Sequence, residues 1–266
     1  MHPLLFEIPL FSGIRVYTYG VLVALGFVVG ITWTVREGKK IGIAPDIVMD
    51  LAFYIILATL VGARLLYIIV EWHRYALDIL GIFRIWEGGL VFYGGLISSI
   101  LVSIFYLKKH RLPFFKVADL FMPGVALGHA IGRLGCLAAG CCYGRPADGF
   151  FAALTFPATE YSLAPAGIPL FPSQLMEMAA ELGIFLILTL ASRRKKFDGA
   201  VFLLYIVLYS VARSILETFR GDVVRGFVIP GWLSTSQFVS IIMFLVATAL
   251  YCYLRPHNGD AQKRSS

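Results

Sequence analysis

IVMDLAFYIILATLVGARLLYIIV, residues 47–70, decides what kind of protein this is. It is a run of 24 residues dominated by aliphatic and aromatic side chains, and roughly 20 such residues suffice for a helix to cross a bilayer. Six further runs of the same character lie at 17–35, 90–107, 117–139, 173–191, 200–216 and 236–254. The pattern predicts an all-α polytopic membrane protein with seven transmembrane helices. It reads as a single domain over 1–266, with an N-terminal surface arm (1–16) and a long external loop (143–172). Composition agrees: 59% of residues are hydrophobic, only 15% are charged, and the mean hydropathy is +0.80. Soluble domains carry about 25% charged residues.

Orientation follows from the basic residues. Of 23 lysines and arginines, 14 fall in the loops after spans one, three and five and in the C-terminal tail. Only 6 fall in the N-terminal arm and the loops after spans two, four and six. Loops rich in Lys and Arg stay in the cytoplasm, so the N-terminus is expected outside and the C-terminus inside. The net charge of +7 is thus a topology signal and does not point to nucleic acid. The first residues lack a basic n-region and an A-x-A site, so no removable signal peptide is expected. Their prolines and aromatics suggest an amphipathic arm lying on the outer surface. Within the long loop, FFAALTFP (residues 150–157) fits a short strand or a surface-lying segment.

The three remaining arginines, Arg64, Arg133 and Arg213, lie inside spans. A guanidinium at mid-span costs about 2.5–3.5 kcal/mol on insertion scales, which makes each one a functional-site hypothesis. With spans two, four and six entering from the cytoplasm, they lie about 26, 24 and 20 Å along their helices, in the outer half of the bilayer. Glu217 stands one turn beyond Arg213 on the same face. Tyr17 and Tyr19 at span one, Glu87, Tyr93 and two Gly-Gly pairs at span three, and Ser173, Gln174 and Glu177 at span five enter from outside at the same level. Bland alternatives stand beside these readings. Tyr17 fits an aromatic-belt anchor, Arg64 can snorkel or neutralise Glu71 or Glu87, and Arg213–Glu217 can be a self-contained pair. Asp119 reads as a cap or local polar anchor.

Cys136, Cys141 and Cys142 follow His129 in GHAIGRLGCLAAGCCYGR, residues 128–145. C-x4-C-C is not a zinc pattern, and free cysteines are commonly small packing residues. No metal and no cofactor are expected, and Cys252 reads as inert.

The same stretch resembles the signature of the bacterial phosphatidylglycerol–prolipoprotein diacylglyceryl transferases, which carry a GRxGN…G segment. Further blocks are similar in order along the chain: Tyr19-Gly20, GARLLY (62–67), IWEGGLVFYGGLI (85–97), PSQLME (172–177) and ARSILETFR (212–220). Tyr93 stands where the family often has histidine, Cys136 replaces the asparagine and Cys141 a downstream acid. The resemblance implies a multi-pass enzyme of the bacterial plasma membrane with its active site towards the outer leaflet. It would move a diacylglyceryl group from phosphatidylglycerol to the thiol of a prolipoprotein signal peptide and release glycerol phosphate. Its partners would be these two substrates and membrane lipids.

The implied catalytic residues are Arg133, Arg213, Glu217 and Tyr93, with Tyr19, Arg64 and Gly144 joining the two arginines in substrate binding. Arginine's planar fork suits bidentate phosphate contact. Tyr93 can serve as base only where cations lower its phenol from its usual pKa of about 10. Two rival classes are an anionic-lipid or small-anion transporter and a membrane thiol oxidoreductase built on the three cysteines.

Overall fold

A computed structural model of the chain describes residues 3–8, 14–75, 81–82, 84, 88–222, 226–229 and 231–263. Glu87 therefore lies outside the described residues. Among the described residues the chain is all-α apart from three two-stranded antiparallel sheets. The helices are α1 (Thr18–Lys40), α2 (Pro45–Val70), the single turn α3 (Trp72–Tyr75), α4 (Phe92–Lys109), α5 (Phe114–Ala139), α6 (Ser173–Ser192), α7 (Ala200–Glu217) and α8 (Thr235–Lys263).

Seven of these helices are long, and six are long and apolar enough to cross a membrane: α1, α2, α5, α6, α7 and the first part of α8. The exception covers the expected third span. α4 begins only at Phe92, has 18 residues, and ends its last turn on Lys108 and Lys109, so its apolar stretch is shorter than the others. Many large side chains are exposed along the helices, Leu101, Leu186, Leu190 and Leu245 each by 60% or more. Apolar surface of this extent is what a lipid-facing helix presents.

The strands are β1 (Leu4–Ile8) with β2 (Ile14–Tyr17), β3 (Leu154–Thr155) with β4 (Pro169–Leu170), and β5 (Phe227–Ile229) with β6 (Leu233–Ser234). The N-terminal arm is thus a hairpin. It packs on the 143–172 loop through Tyr17 and Arg15, both against the ring of Tyr161. FFAALTFP contributes β3, and Phe156 and Leu170 form a small core with Ala164 against Leu137 and Tyr143.

The described contacts group the chain into two compact units, residues 1–34 with 118–266, and residues 35–117. In the first, α1 and α5 cross through glycines. A Cβ at Gly26 would lie 2.6 Å from the Gly128 carbonyl oxygen, and one at Gly30 would lie 2.6 Å from that of Gly124. Two small-xxx-small faces therefore meet backbone to backbone, the packing that suits helices in lipid. α5, α6 and α7 then share a core of Ala126, Ile184, Leu188 and Val201.

At the end of this unit where α6 stops and α7 starts, Asp119 of α5 works as an anchor for another helix. Its carboxylate accepts from the backbone N–H groups of Gly199 at 2.9 Å and Phe202 at 2.8 Å, and from Lys195 at 3.1 Å. Gly199 is the N-cap residue of α7 and has no side chain to offer, so Asp119 supplies the missing acceptor. Burial opposes the charge of Lys195, but its hydrogen bonds to Asp198 and Asp119 outweigh this and raise its pKa above the usual lysine value.

In the second unit, α2 and α4 meet through Gly62 and Gly94, where a Cβ on either would strike the other's carbonyl oxygen. Arg64 is buried here. Its guanidinium donates to the carbonyls of Gly81, Ile82, Arg84, Gly88 and Gly89 and sits over the rings of Tyr67 and Tyr75. Among the described residues its partners are thus backbone carbonyls and two aromatic rings. Tyr93, one residue into α4, is 43% exposed and its ring meets Phe92.

Candidate active site

At the opposite end of the first unit from Asp119, the C-terminal turns of α5 and α7 meet the N-terminal turns of α1, α6 and α8. Arg133 lies six residues before the end of α5, about 9 Å along the axis. Glu177 and Arg213 each lie four residues from their helix end, about 6 Å. These side chains share one level by construction.

Glu177 is the hub. One of its oxygens accepts from Arg213 at 2.7 Å and from Arg220 at 3.2 Å, and the other pairs with Arg133. Its side chain is 5% exposed, and a buried carboxylate persists there because three guanidiniums face it. Arg213 reaches further, to Glu217 at 2.7 Å and to the Ser236 hydroxyl at 3.2 Å. The Arg213–Glu217 pair is therefore part of a network. Arg220 is gripped at both ends of its fork by Asp222, at 2.9 and 2.6 Å. Burial opposes its charge, but the Asp222 hydrogen bonds together with the nearby negative groups Cys142, Glu177 and Asp222 outweigh this and hold its pKa above the ordinary arginine value.

A second chain of contacts joins this hub. His129 lies one turn before Arg133, and its Nδ1 stands 2.7 Å from Glu181, while its Nε2 lies 3.2 Å from Nε of Arg133. An arginine only donates, so Nε2 must present a lone pair and the proton sits on Nδ1, towards Glu181. His129, Arg133, Glu177, Glu181, Tyr209 and Arg213 line a cavity closed off by Ala180, Ala212 and Leu216. Measured for the centre of a water-sized sphere, its volume is about 10 Å³, room for about one water. Three guanidiniums here face four carboxylates, so the site is an ion-pair network with one carboxylate in excess rather than a bare cationic patch. The carboxylates fix the planes of the guanidiniums before any ligand arrives.

The loops above are tied to this network. Ser173 and Gln174, both fully buried, donate to the carbonyls of Cys142 at 2.7 Å and Cys141 at 2.9 Å. Gly144 pairs with Arg220 as an isolated bridge, and a Cβ there would strike the Phe171 carbonyl oxygen. Gly144 thus lets three segments, 141–146, 171–174 and 219–221, close together beneath Arg220. Tyr19 packs on α5 at Gly135, where a Cβ would lie 3.2 Å from the tyrosine carbonyl oxygen.

The sulfur atoms of Cys136, Cys141 and Cys142 lie within 4.8 Å of one another. Gly140 at φ 70 and Cys142 at φ 58 fold the chain back over the last turn of α5. The neighbouring Cys136 and Cys141 thiols pull Cys142 below the ordinary thiol range, and the charges of Arg220 and Arg133 add to the effect.

Of the sequence candidates, Arg133, Arg213, Glu217, Tyr19 and Gly144 belong to this one end of the first unit, while Arg64 and Tyr93 belong to the second unit. The sequence reading left out Glu177 as the organising residue, and with it Arg220, His129 and Glu181. A signal existed: Glu177–Glu181 and His129–Arg133 are pairs at i, i+4 in apolar helices, where one polar group already calls for a partner. Arg220 enters the sequence reading as a loop charge and as the last residue of the ARSILETFR block, with no role of its own.

A family model described as prolipoprotein diacylglyceryl transferase matches residues 3–253. The chain belongs to this family. It is 35% identical to the phosphatidylglycerol–prolipoprotein diacylglyceryl transferase 2 of Clostridium perfringens over 239 residues, 90% of this chain and 91% of the relative. It is 34% identical to the corresponding transferase of Clostridium tetani over 251 residues, 94% and 97% of the two chains. A third relative, from Chromohalobacter salexigens, shares 35% over 250 residues, covering 92% and 91%. The resemblance seen in six sequence blocks is thus a family relationship over nearly the whole chain. The transporter and thiol-oxidoreductase alternatives give way to a polytopic membrane transferase of the lipoprotein-modifying family. In this family member the PSQLME block supplies both the loop ties (Ser173, Gln174) and the hub (Glu177), and the ARSILETFR block supplies two of the three arginines around it.

Proposed function

We propose that this chain carries out the reaction for which its relatives are named. The diacylglyceryl group of phosphatidylglycerol passes to the thiol of the lipid-accepting cysteine in a prolipoprotein signal peptide. A sulfur–carbon bond forms to the glyceryl carbon as that carbon's bond to the phosphate oxygen breaks. The products are a thioether-linked precursor and glycerol phosphate. The observation that carries the reading is the gathering of Arg133, Arg213 and Arg220 around Glu177.

The leaving phosphate gains a full negative charge, and guanidinium donors held in a dry site stabilise such charge. Arg133 and Arg213 both line the cavity and hold the phosphate; Glu217 orients Arg213, and Arg220 completes the positive frame from outside. Tyr19 and Gly144 shape the entrance, and Arg64 holds the carbonyls of Gly81, Ile82, Arg84, Gly88 and Gly89. The cavity has room for one water, so lipid entry must widen it and draw Arg133 towards the phosphate. That movement frees Nε2 of His129 to take the thiol proton, with Glu181 stabilising the imidazolium. Tyr93 is the alternative acceptor.

The polar end of the first unit is the opposite end from Asp119 and from the basic run Arg193–Lys196. With basic loops in the cytoplasm, the site faces the outer leaflet of the bacterial plasma membrane, with the N-terminus outside and the C-terminus inside. α4 completes a set of seven spans, its lysines at the cytoplasmic surface.

The test uses purified protein, phosphatidylglycerol and a signal peptide containing the accepting cysteine. The peptide is expected to gain the mass of one diacylglyceryl unit, and Arg133→Gln is expected to abolish the gain. A peptide of unchanged mass with the intact enzyme rejects the reading. His129→Gln and Tyr93→Phe separate the two proton acceptors, since only loss of the true base removes the lower limb of the pH–rate profile.

A further inference from the structure

The three gathered sulfurs are used by none of the chemistry above. Cys136 comes from the last turns of α5, and Cys141 and Cys142 come from beyond its end. Their meeting depends on two residues in the left-handed region, Gly140 at φ 70 and Cys142 at φ 58. Glycine adopts this conformation freely, but a cysteine rarely does. The turn is then fixed from outside, because Ser173 and Gln174 hold the carbonyls of Cys142 and Cys141. All three cysteines are reduced and half-buried, so the sulfurs are ordered by the fold yet reachable.

We propose that Cys136, Cys141 and Cys142 form a three-thiolate site for one soft monovalent cation of the copper(I) class. Soft thiolate donors select soft cations, Cu(I) foremost among the monovalent ones. Three sulfurs about 2.3 Å from a central ion in one plane lie about 4 Å apart, within the observed limit of 4.8 Å. A tetrahedral zinc site needs a fourth ligand. The cluster as described offers three cysteines and no histidine or carboxylate, which favours a three-coordinate ion. Arg133 and Arg220 lie close enough to act on Cys142 electrostatically and offset the negative charge of the thiolates. Binding exchanges thiol protons for the metal ion, and no electron is transferred.

The experiment uses the full chain in detergent, reduced and under anaerobic conditions, titrated with Cu(I) against a chromophoric Cu(I) chelator. One copper per chain is expected, with three sulfur neighbours by X-ray absorption. Cys136→Ser, Cys141→Ser and Cys142→Ser are each expected to lose the tight site, and Cys252→Ser is expected to keep it. The sulfur count on the unsubstituted protein decides the matter even where a variant folds poorly. Failure to take up copper, fewer than three sulfur neighbours, undiminished binding by folded Cys142→Ser, or zinc displacing copper at equal concentration each overturns the proposal.

Discussion

Replacing Glu177 by glutamine separates a site organised by one carboxylate from a set of independent arginines. The side chain keeps its shape and loses its charge. Arg213 at 2.7 Å, Arg220 at 3.2 Å and Arg133 then face a neutral amide, whose NH2 group can only oppose their donors. A pair of unit charges 4 Å apart is worth about 4 kcal/mol at an effective dielectric constant of 20. Desolvation cancels much of this, and removing one partner of a buried ionic network typically costs about 3–5 kcal/mol. Part of that loss should appear as a lower melting midpoint in detergent. The rest should appear in turnover, since a reacting group misplaced by about 1 Å costs roughly 10²-fold. We expect Glu177→Gln to transfer diacylglyceryl groups at least about 10²-fold more slowly than the parent, measured by peptide mass at saturating phosphatidylglycerol. Glu177→Asp, which retains the charge, should recover part of the rate. A folded Glu177→Gln protein with near-parental turnover refutes the hub.

Three further outcomes follow from the packing and the second unit. Gly26→Leu places a branched side chain where even a Cβ lies 2.6 Å from the Gly128 carbonyl oxygen, so α1 and α5 must part. A loss of at least about 1–3 kcal/mol is expected, read as a drop in melting midpoint, and an unchanged midpoint removes the close-approach account. Asp119→Ala deprives α7 of its borrowed cap and leaves Lys195 with Asp198 alone, costing about 1–2 kcal/mol. KM for phosphatidylglycerol should stay constant, and a raised KM would place Asp119 in substrate binding instead. Arg64→Lys keeps the charge but not a fork able to reach five carbonyls. Limited proteolysis at Gly81–Ile82 and Gly88–Gly89 should become faster, and resistance equal to the parent's would show that the carbonyl cage is dispensable.

The spans were legible because a bilayer demands long apolar runs, and six of the seven expected ones meet that demand outright. α4 is marginal because its lysines and glycine pair dilute an already short helix. The hairpin of the N-terminal arm was missed, since Leu4–Ile8 and Ile14–Tyr17 are too short for alternation to show a period. Depth alone set Arg133, Arg213 and Glu177 at one level, and the structure joins them. It did not show that Glu177 serves all three arginines, because partner choice between helices depends on rotation about each axis. Arg220 escaped notice because a charge just beyond a span looks like an ordinary loop residue until Asp222 and Glu177 close on it. The cysteines show the same limit, as C-x4-C-C has no metal spacing along the chain and converges only through the left-handed turn at Gly140 and Cys142.

The central claim is that the arginines around Glu177 hold a lipid phosphate. The most direct measurement is a structure of the protein with phosphatidylglycerol bound. The account expects a phosphate oxygen within about 3 Å of the guanidiniums of both Arg133 and Arg213, with His129 released from Nε of Arg133. A head group seated away from both arginines, with the Glu177 network undisturbed, would contradict it.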